Sequence, residues 1–373
     1  MGGRGWADGE TLPIRPLFGY QSAMSWQPRY TITNTLLVTV RRIGEAMGEI
    51  RASGMTQADI AKLEYQAREL SSYASTSIEG NPLPLTDVKR LLKKAPDHVR
   101  DTEREVLNYN RALQHIHRQI RGGTFALNRA NALAVHKLAM HRLMRHASDI
   151  GAYRKAPVVI RDPRVPDSIV FMPPDAKDVP GLCRQLFAFV HANLGAIDPI
   201  VLAGLFHRQF VIIHPFMDGN GRTTRLLTTA LLGMAGLDVF QIFSFENYYN
   251  RNVTHYFREV GLRGDYYGLA GTADFTSWLE YFSEGILDEL TRVRKSLVAA
   301  APPPRLGDHH RIVLDHIRTH GSIGQQEYGA LSARSLASRK QDFARLVALG
   351  LIKSQGGGRS LYYVAATDSD GGE

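Results

Sequence analysis

Apolar residues recur at helical spacing over most of the first 234 positions. Between Thr35 and Ile50 the positions Leu36, Val40, Ile43, Met47 and Ile50 fall at intervals of four, three, four and three, the stripe of an amphipathic helix. Gln57 to Ile78 repeats it with Ile60, Leu63, Ala67, Leu70 and Ala74, then meets Glu79-Gly80-Asn81-Pro82. Glycine followed by proline stops a helix there. Thr86 is placed to cap the next one, through Val88, Leu91 and Leu92. Further helices are expected over 103–120, 128–144, 179–193, 199–213 and 223–234. One section departs from this habit. Pro157–Ile160 and Ser168–Met172 are β-branched and apolar, and the Pro-containing stretch 161–167 separates them, which predicts a hairpin with a long loop.

A boundary follows at 299–305, where three consecutive prolines, Pro302 to Pro304, make a stiff extended spacer. Beyond it the pattern predicts helices over 311–320, 325–331 and 335–349, the last with Phe343, Leu346, Val347 and Leu349 as its apolar face. Ile352 and Leu361–Val364 flank Gly356–Arg359 as strand, turn and strand. Three helices followed by a basic-tipped hairpin is the order of a winged helix. The expected division is an N-terminal helical region over 1–100, a helical core with the hairpin over 101–298, a Pro-rich linker over 299–307 and a winged helix-turn-helix domain over 308–365. The fold class is mainly α. Residues up to about Gln27 are expected to wrap a surface, and the tail 368–373 to fray.

Composition narrows the setting. A single cysteine, Cys183, excludes a disulfide framework and a cysteine-based zinc site. No apolar stretch reaches the roughly 18 residues of a membrane span, and the start has no apolar core behind its charge, so no membrane partner is expected and the cytoplasm is the expected compartment. The net charge of +9 is unevenly spread. Residues 86–155 hold 15 Lys+Arg against six Asp+Glu, and residues 305–363 hold nine against four. Arg334, Arg339, Lys340 and Arg359 lie on or near the third helix and wing of the C-terminal module, which suits either DNA binding or protein docking.

The chemistry is concentrated in Val211-Ile-Ile-His-Pro-Phe-Met-Asp-Gly-Asn-Gly-Arg-Thr-Thr-Arg225. It runs from a helix through a loop with two glycines into a helix beginning near Thr223, so Asp218–Gly221 sits at a helix N-terminus. Unpaired N–H groups and the positive end of the helix dipole suit a phosphate there. Gly219 and Gly221 allow close backbone approach, while Arg222 and Arg225 share one helical face and can clasp phosphate oxygens. Asp218 is the one carboxylate, suited to Mg²⁺, and His214 can accept a proton near neutrality. These groups describe phosphoryl or nucleotidyl transfer to a protonated nucleophile, and no Walker loop is present.

The run His214-Pro-Phe-x-Asp-Gly-Asn-Gly-Arg-x-x-Arg225 resembles the signature of Fic-domain adenylyltransferases, with every fixed position matched. The resemblance implies a Fic helical core and transfer of AMP from ATP to a Ser, Thr or Tyr hydroxyl of a target protein, the chain itself included, with release of pyrophosphate. It implies that His214 is the general base and Asp218 the Mg²⁺ ligand. Gly219, Asn220 and Gly221 form the anion cradle, Arg222 and Arg225 reach the β- and γ-phosphates, and Thr223 and Thr224 lie in the same phosphate-binding stretch. Phe216 becomes a core anchor, and 157–172 with the preceding Gly151–Arg154 becomes a flap on which the target docks. Tyr256 and Phe257 take the place of a Tyr-Tyr pair beside adenine, Phe257 lacking the hydroxyl.

Upstream, Ser75-Thr-Ser-Ile-Glu-Gly80 is similar to the family's inhibitory motif. Ser75 and Glu79 are four apart on one helix face. A carboxylate there can pair bidentately with Arg225 and remove the γ-phosphate clamp. The histidines do not share faces as a metal site would: His136, His141 and His146 are five apart. Two other readings compete: a DNA-binding regulator acting through 308–365, and a Fic-type enzyme that removes AMP with Glu79 orienting water.

Overall fold

The computed structural model describes residues 26–161, 168–237, 239, 241–300 and 306–366. The expectations for the chain before Trp26, for loop residues 162–167, for Pro302–Pro304 and for the tail 368–373 lie outside them. Two compact units are formed, Met1–Val298 and Ala299–Glu373.

Among the described residues of the first unit, α1 (Asn34–Ala52), α2 (Gln57–Ile78), α3 (Leu85–Lys93), α4 (Asp101–Arg121) and α5 (Arg129–Ala139) come before any strand. Strands β1 (Ile160–Arg161) and β2 (Ile169–Met172) follow, then α6 (Val179–Asn193), α7 (Pro199–Ile213), α8 (Asn220–Met234), α9 (Phe245–Asn250) and α10 (Val253–Val260). Strand β3 (Gly264–Asp265), α11 (Tyr266–Leu269) and α12 (Thr276–Ala300) complete it. The helix starts follow local chemistry. Thr33 caps α1 by accepting from the Leu36 N–H, and Thr56 and Asp59 form a reciprocal capping box on α2. Asp198 accepts from Ile200 and Val201 with Pro199 in the first turn of α7.

Helix α7 is apolar on nearly all faces, and α8 is nearly as buried, so this pair forms the centre of the unit. The main core runs from Leu36 and Ile43 on α1 to Trp278, Phe282 and Ile286 on α12. Trp278 is fully buried and donates its indole N–H to Gly204 O of α7 at 2.8 Å.

Four departures from the sequence pattern have local causes. Helix α3 starts at Leu85 with Pro84 as its N-cap, so Thr86 lies inside the first turn and does not cap it. Helix α5 ends at Ala139 instead of 144; Met140 is its C-cap, and Arg142 adopts a positive φ of 56°. The predicted hairpin is present but short, and β2 also pairs in parallel with β3, a two-residue strand too brief to leave a pattern. Ala299 and Ala300 continue α12, so the extended spacer does not begin at 299.

The second unit contains α13 (Asp308–His320), β4 (Ser322–Gly324), α14 (Gln325–Leu331), α15 (Leu336–Ala348), β5 (Ile352–Gln355) and β6 (Tyr362–Ala365). Its strands form an antiparallel sheet of order β4-β6-β5. Val313, Ile317, Ile323, Tyr328, Phe343, Leu346 and Ile352 fill a separate core.

Candidate active site

The loop between α7 and α8 is shaped by its own residues and by three neighbours. His214 is the C-cap of α7 in the left-handed conformation, φ 51° and ψ 61°, an uncommon state for a non-glycine residue. Buried Arg154 holds this bend. Its backbone N–H donates to Pro215 O at 2.9 Å and its Nε to His214 O at 2.8 Å, while the guanidinium also meets Pro174 O. Phe216 is fully buried and stacks on the His136 ring at 3.8 Å between centroids. Asn220 closes the turn by accepting from Phe216 N–H and donating to Phe216 O, both at 2.9 Å. Both ends of the Asn220 amide are thereby used to shape the cradle.

His136 supports the loop from below. Gly151 N–H donates to its Nδ1 at 2.9 Å, which places the ring proton on Nε2, 3.0 Å from Asp218 O. Burial pushes its pKa down to about 4, so it is neutral at neutral pH. Gly219 is the N-cap of α8 with φ 76°, and a Cβ on it would run into the Met140 side chain. Helix α8 begins at Asn220, three residues earlier than expected, because the left-handed Gly219 lets the chain turn directly into the helix. Gly219 thus packs against Met140 while Gly221 abuts Glu79 and Arg225, and the first-turn N–H groups of α8 lie at the helix start.

His214 sits at the entrance, partly buried. Its Nδ1 lies 3.3 Å from Val211 O, which can only accept, so the proton resides there and Nε2 keeps its lone pair. Burial pushes the pKa down to about 4. A neutral imidazole with an open Nε2 is the form a general base requires.

Both loop arginines are already engaged. Arg225 is completely buried, with Nε donating to Ser75 Oγ at 2.7 Å and Nη2 to Ser75 O at 2.9 Å and Glu79 Oε1 at 2.7 Å. The expected Glu79–Arg225 pairing is present, but it uses one arginine nitrogen instead of two, because Ser75 takes the Nε edge. Burial opposes the charge on Glu79; Arg225 and Arg222 outweigh it and hold the carboxyl below its usual range. A Cβ on Gly221 would overlap the Glu79 carboxylate, so the glycine admits Glu79 as well as any phosphate. Arg222 donates to Glu105 Oε1 at 2.6 Å and to Asp218 Oδ1 at 3.2 Å. The Asp218 side chain is 60 % exposed, and a single exposed carboxylate beside a phosphate cradle fits Mg²⁺, which keeps most of its waters.

Other expected site residues fall elsewhere. Thr223 and Thr224 are fully buried; the Thr224 hydroxyl donates to Asn220 O within α8, while the Thr223 hydroxyl is buried without a hydrogen-bond partner. Tyr256 is also buried. Its hydroxyl lies 3.4 Å from Arg225 Nη1 and 3.1 Å from His207 Nε2, and its ring stacks on Tyr249. It meets the site from beneath Arg225, whereas Phe257 is 48 % exposed. Helix α2 is anchored by buried Glu246, which accepts from Tyr109, Ser71 and Ser244.

In the second unit Arg334 binds Asp342 through two nitrogens and Arg339 donates to Gln325 O. Of the residues assigned to a DNA surface these two are half-buried and bonded within the unit, while Lys340 is exposed and the Arg359 side chain lies outside the described residues. His309, His310 and Asp342 converge. Asp342 already accepts from Arg334 and Tyr328, and Gly307 N–H donates to His310 Nδ1, which puts the His310 proton on Nε2, the nitrogen facing Asp342. No lone pair is left for a metal at that nitrogen, and the cluster is structural.

Sequence patterning had no means of finding Arg154, His136 or Glu105, because each acts through tertiary contacts. Arg154 at least stood in the quoted Gly151–Arg154 run.

A buried helix pair thus brings together a glycine-bounded helix start, two arginines, one exposed carboxylate and a neutral histidine. Residues 111–232 match the Fic/DOC family. It is 30 % identical over 173 residues to the protein adenylyltransferase Fic of Nematostella vectensis, covering 44 % of this chain and 37 % of that protein. It is 28 % identical over 185 residues to the protein of the same name from Culex quinquefasciatus, covering 48 % and 35 %. The chain thus spans well under half the length of these curated relatives. A Fic family protein from Desulfovibrio desulfuricans G20 shares the fold with a TM-score of 0.61 at 22 % identity, over 91 % of this chain and 98 % of that one. Fic-1 from C. elegans does so with a TM-score of 0.55 at 18 % identity, over 71 % and 74 %. Among the described residues no helix is long and apolar enough to cross a membrane.

Proposed function

We propose that the chain is a protein adenylyltransferase that moves AMP from ATP to a hydroxyl of a target protein, and that Glu79 holds it inactive. The observation that carries this reading is the capture of Arg225 by Glu79 and Ser75 beside the Gly219–Gly221 cradle. In the reaction, Nε2 of His214 takes the proton of the target hydroxyl. The oxygen bonds to the α-phosphorus as the bond to the bridging oxygen breaks, and pyrophosphate leaves. The loop acts by positioning and charge neutralisation. Arg222 and Arg225 would meet the β- and γ-phosphates once Glu79 withdraws. Asp218 would hold Mg²⁺, which neutralises phosphate charge when bound. The target segment would add to the hairpin at 157–172, whose β1 edge and exposed Val159, Ile169 and Met172 support strand addition.

The helix and strand order of the second unit supports a winged helix. With Arg334 and Arg339 bonded to Asp342 and Gln325 O within the unit, DNA binding receives no support from them. Radiolabelled ATP tests the reading: His214→Ala abolishes protein labelling and Glu79→Gly raises it. Labelling that survives His214→Ala would exclude His214 as the base.

A further inference from the structure

Glu79 is not the only carboxylate placed on the loop arginines. Glu105, on α4, accepts from Arg222 Nη1 through Oε1 at 2.6 Å and from Asn81 Nδ2 through Oε2 at 2.7 Å. The ion pair is nearly dry, its side chains 8 % and 15 % exposed. Asn81 stands two residues after Glu79 in the turn that ends α2. That turn is closed by Asn81 N–H to Thr76 O and by a left-handed Gly80, φ 94°. Both Nδ2 hydrogens of Asn81 are used. Nδ2 also donates to Thr102 O at 2.8 Å, and Oδ1 accepts from Leu83 N–H at 3.1 Å.

The turn therefore touches both loop arginines. It reaches Arg225 directly through Glu79, and Arg222 through Asn81 and Glu105. We propose that Glu105 is a positioning residue that couples Arg222 to the Glu79 turn through Asn81, so that the two arginines are withdrawn from ATP or presented to it together. A nucleotide that draws Arg222 toward its phosphates loosens Glu105 from Asn81, and the turn then holds Glu79 less firmly. Conversely, release of Glu79 lets Arg222 move. The inference rests on Glu79 acting as the inhibitor.

The test is a double-mutant cycle on the full chain, with ATP and Mg²⁺ binding read by titration calorimetry. Asn81→Ala removes the link while leaving Glu79, Glu105 and both arginines in place. In the chain with Glu79 it should tighten ATP binding roughly two- to tenfold, about what the Glu105 hydrogen bond contributes, the bonds to Thr102 O and Leu83 N–H being lost with it in both backgrounds. In the Glu79→Gly background it should change affinity less than twofold, because nothing is left to release. Equal effects in the two backgrounds, or no effect in the first, would overturn the coupling. If Glu79→Gly itself gains no affinity, the inhibitory reading fails and the coupling fails with it. Hydrogen exchange on the unmutated chain gives a second readout that needs no variant. ATP and Mg²⁺ should speed exchange at the amides of Gly80, Asn81 and Leu83, and unchanged rates there would contradict the coupling.

Discussion

Replacing Glu79 by glycine should make the chain less stable and better at binding ATP, two effects with one origin. The Arg225 guanidinium is completely buried, and Glu79 is the carboxylate bonded to it. Removing one partner of a buried pair costs about 3–5 kcal/mol when the other charge is left alone. Here Ser75 still offers Oγ at 2.7 Å and O at 2.9 Å, so the loss should fall nearer about 2–3 kcal/mol. At roughly 2–4 °C per kcal/mol for a unit of this size, the melting temperature drops by about 5–10 °C. ATP no longer has to displace a carboxylate bond of about 1.5–3 kcal/mol, so its affinity should rise roughly ten- to hundredfold. Saturating ATP with Mg²⁺ should therefore restore much of the lost melting temperature in the variant, and far less in the parent. Calorimetric titration and thermal melts on the same two proteins read both halves. A variant that melts lower but binds ATP no more tightly would refute the claim that Glu79 occupies the place of a phosphate.

Three further outcomes follow from the loop. The pKa of His214 is pushed down to about 4 from an ordinary 6.5, and a base works only unprotonated, so the acid limb of the transfer rate should lie well below pH 6.5; a limb at 6.5 or above would show that His214 is solvated when it acts. Gly219→Ala should cost about 1–3 kcal/mol, since φ is 76° and the new Cβ meets Met140, and unchanged denaturant midpoints would contradict this. His136 is fully buried with a pKa near 4; the unfolded chain binds the proton first, so stability is full above pH 6.5 and falls as pH drops toward 4. Its share of that loss is about 2 kcal/mol at pH 5, and His136→Phe should remove this share from the pH dependence of the melting temperature.

Much of this was legible in the residues. The stripes of α1 and α2 and the Pro and Gly punctuation around them located those helices within a few positions, because amphipathic spacing and capping are local. The loop chemistry was also readable, since a helix start with two glycines and two arginines concentrates its meaning in twelve residues. What escaped was tertiary. Thr223 and Thr224 belong to the same motif as Arg225, yet they face the packing, because residues on a helix buried all round cannot all look into the site. Tyr256 reaches Arg225 through its hydroxyl across 31 positions of chain. The partners Arg154, His136 and Glu105 sit on other elements and carry no spacing signal at all.

The most direct measurement is the intact mass of Glu79→Gly after incubation with ATP and Mg²⁺. Transfer of AMP to the chain itself predicts increments of about 329 Da per site, absent when His214→Ala is added. An unchanged mass, or increments of about 80 Da from a phosphoryl group, would contradict an adenylyltransferase held back by Glu79.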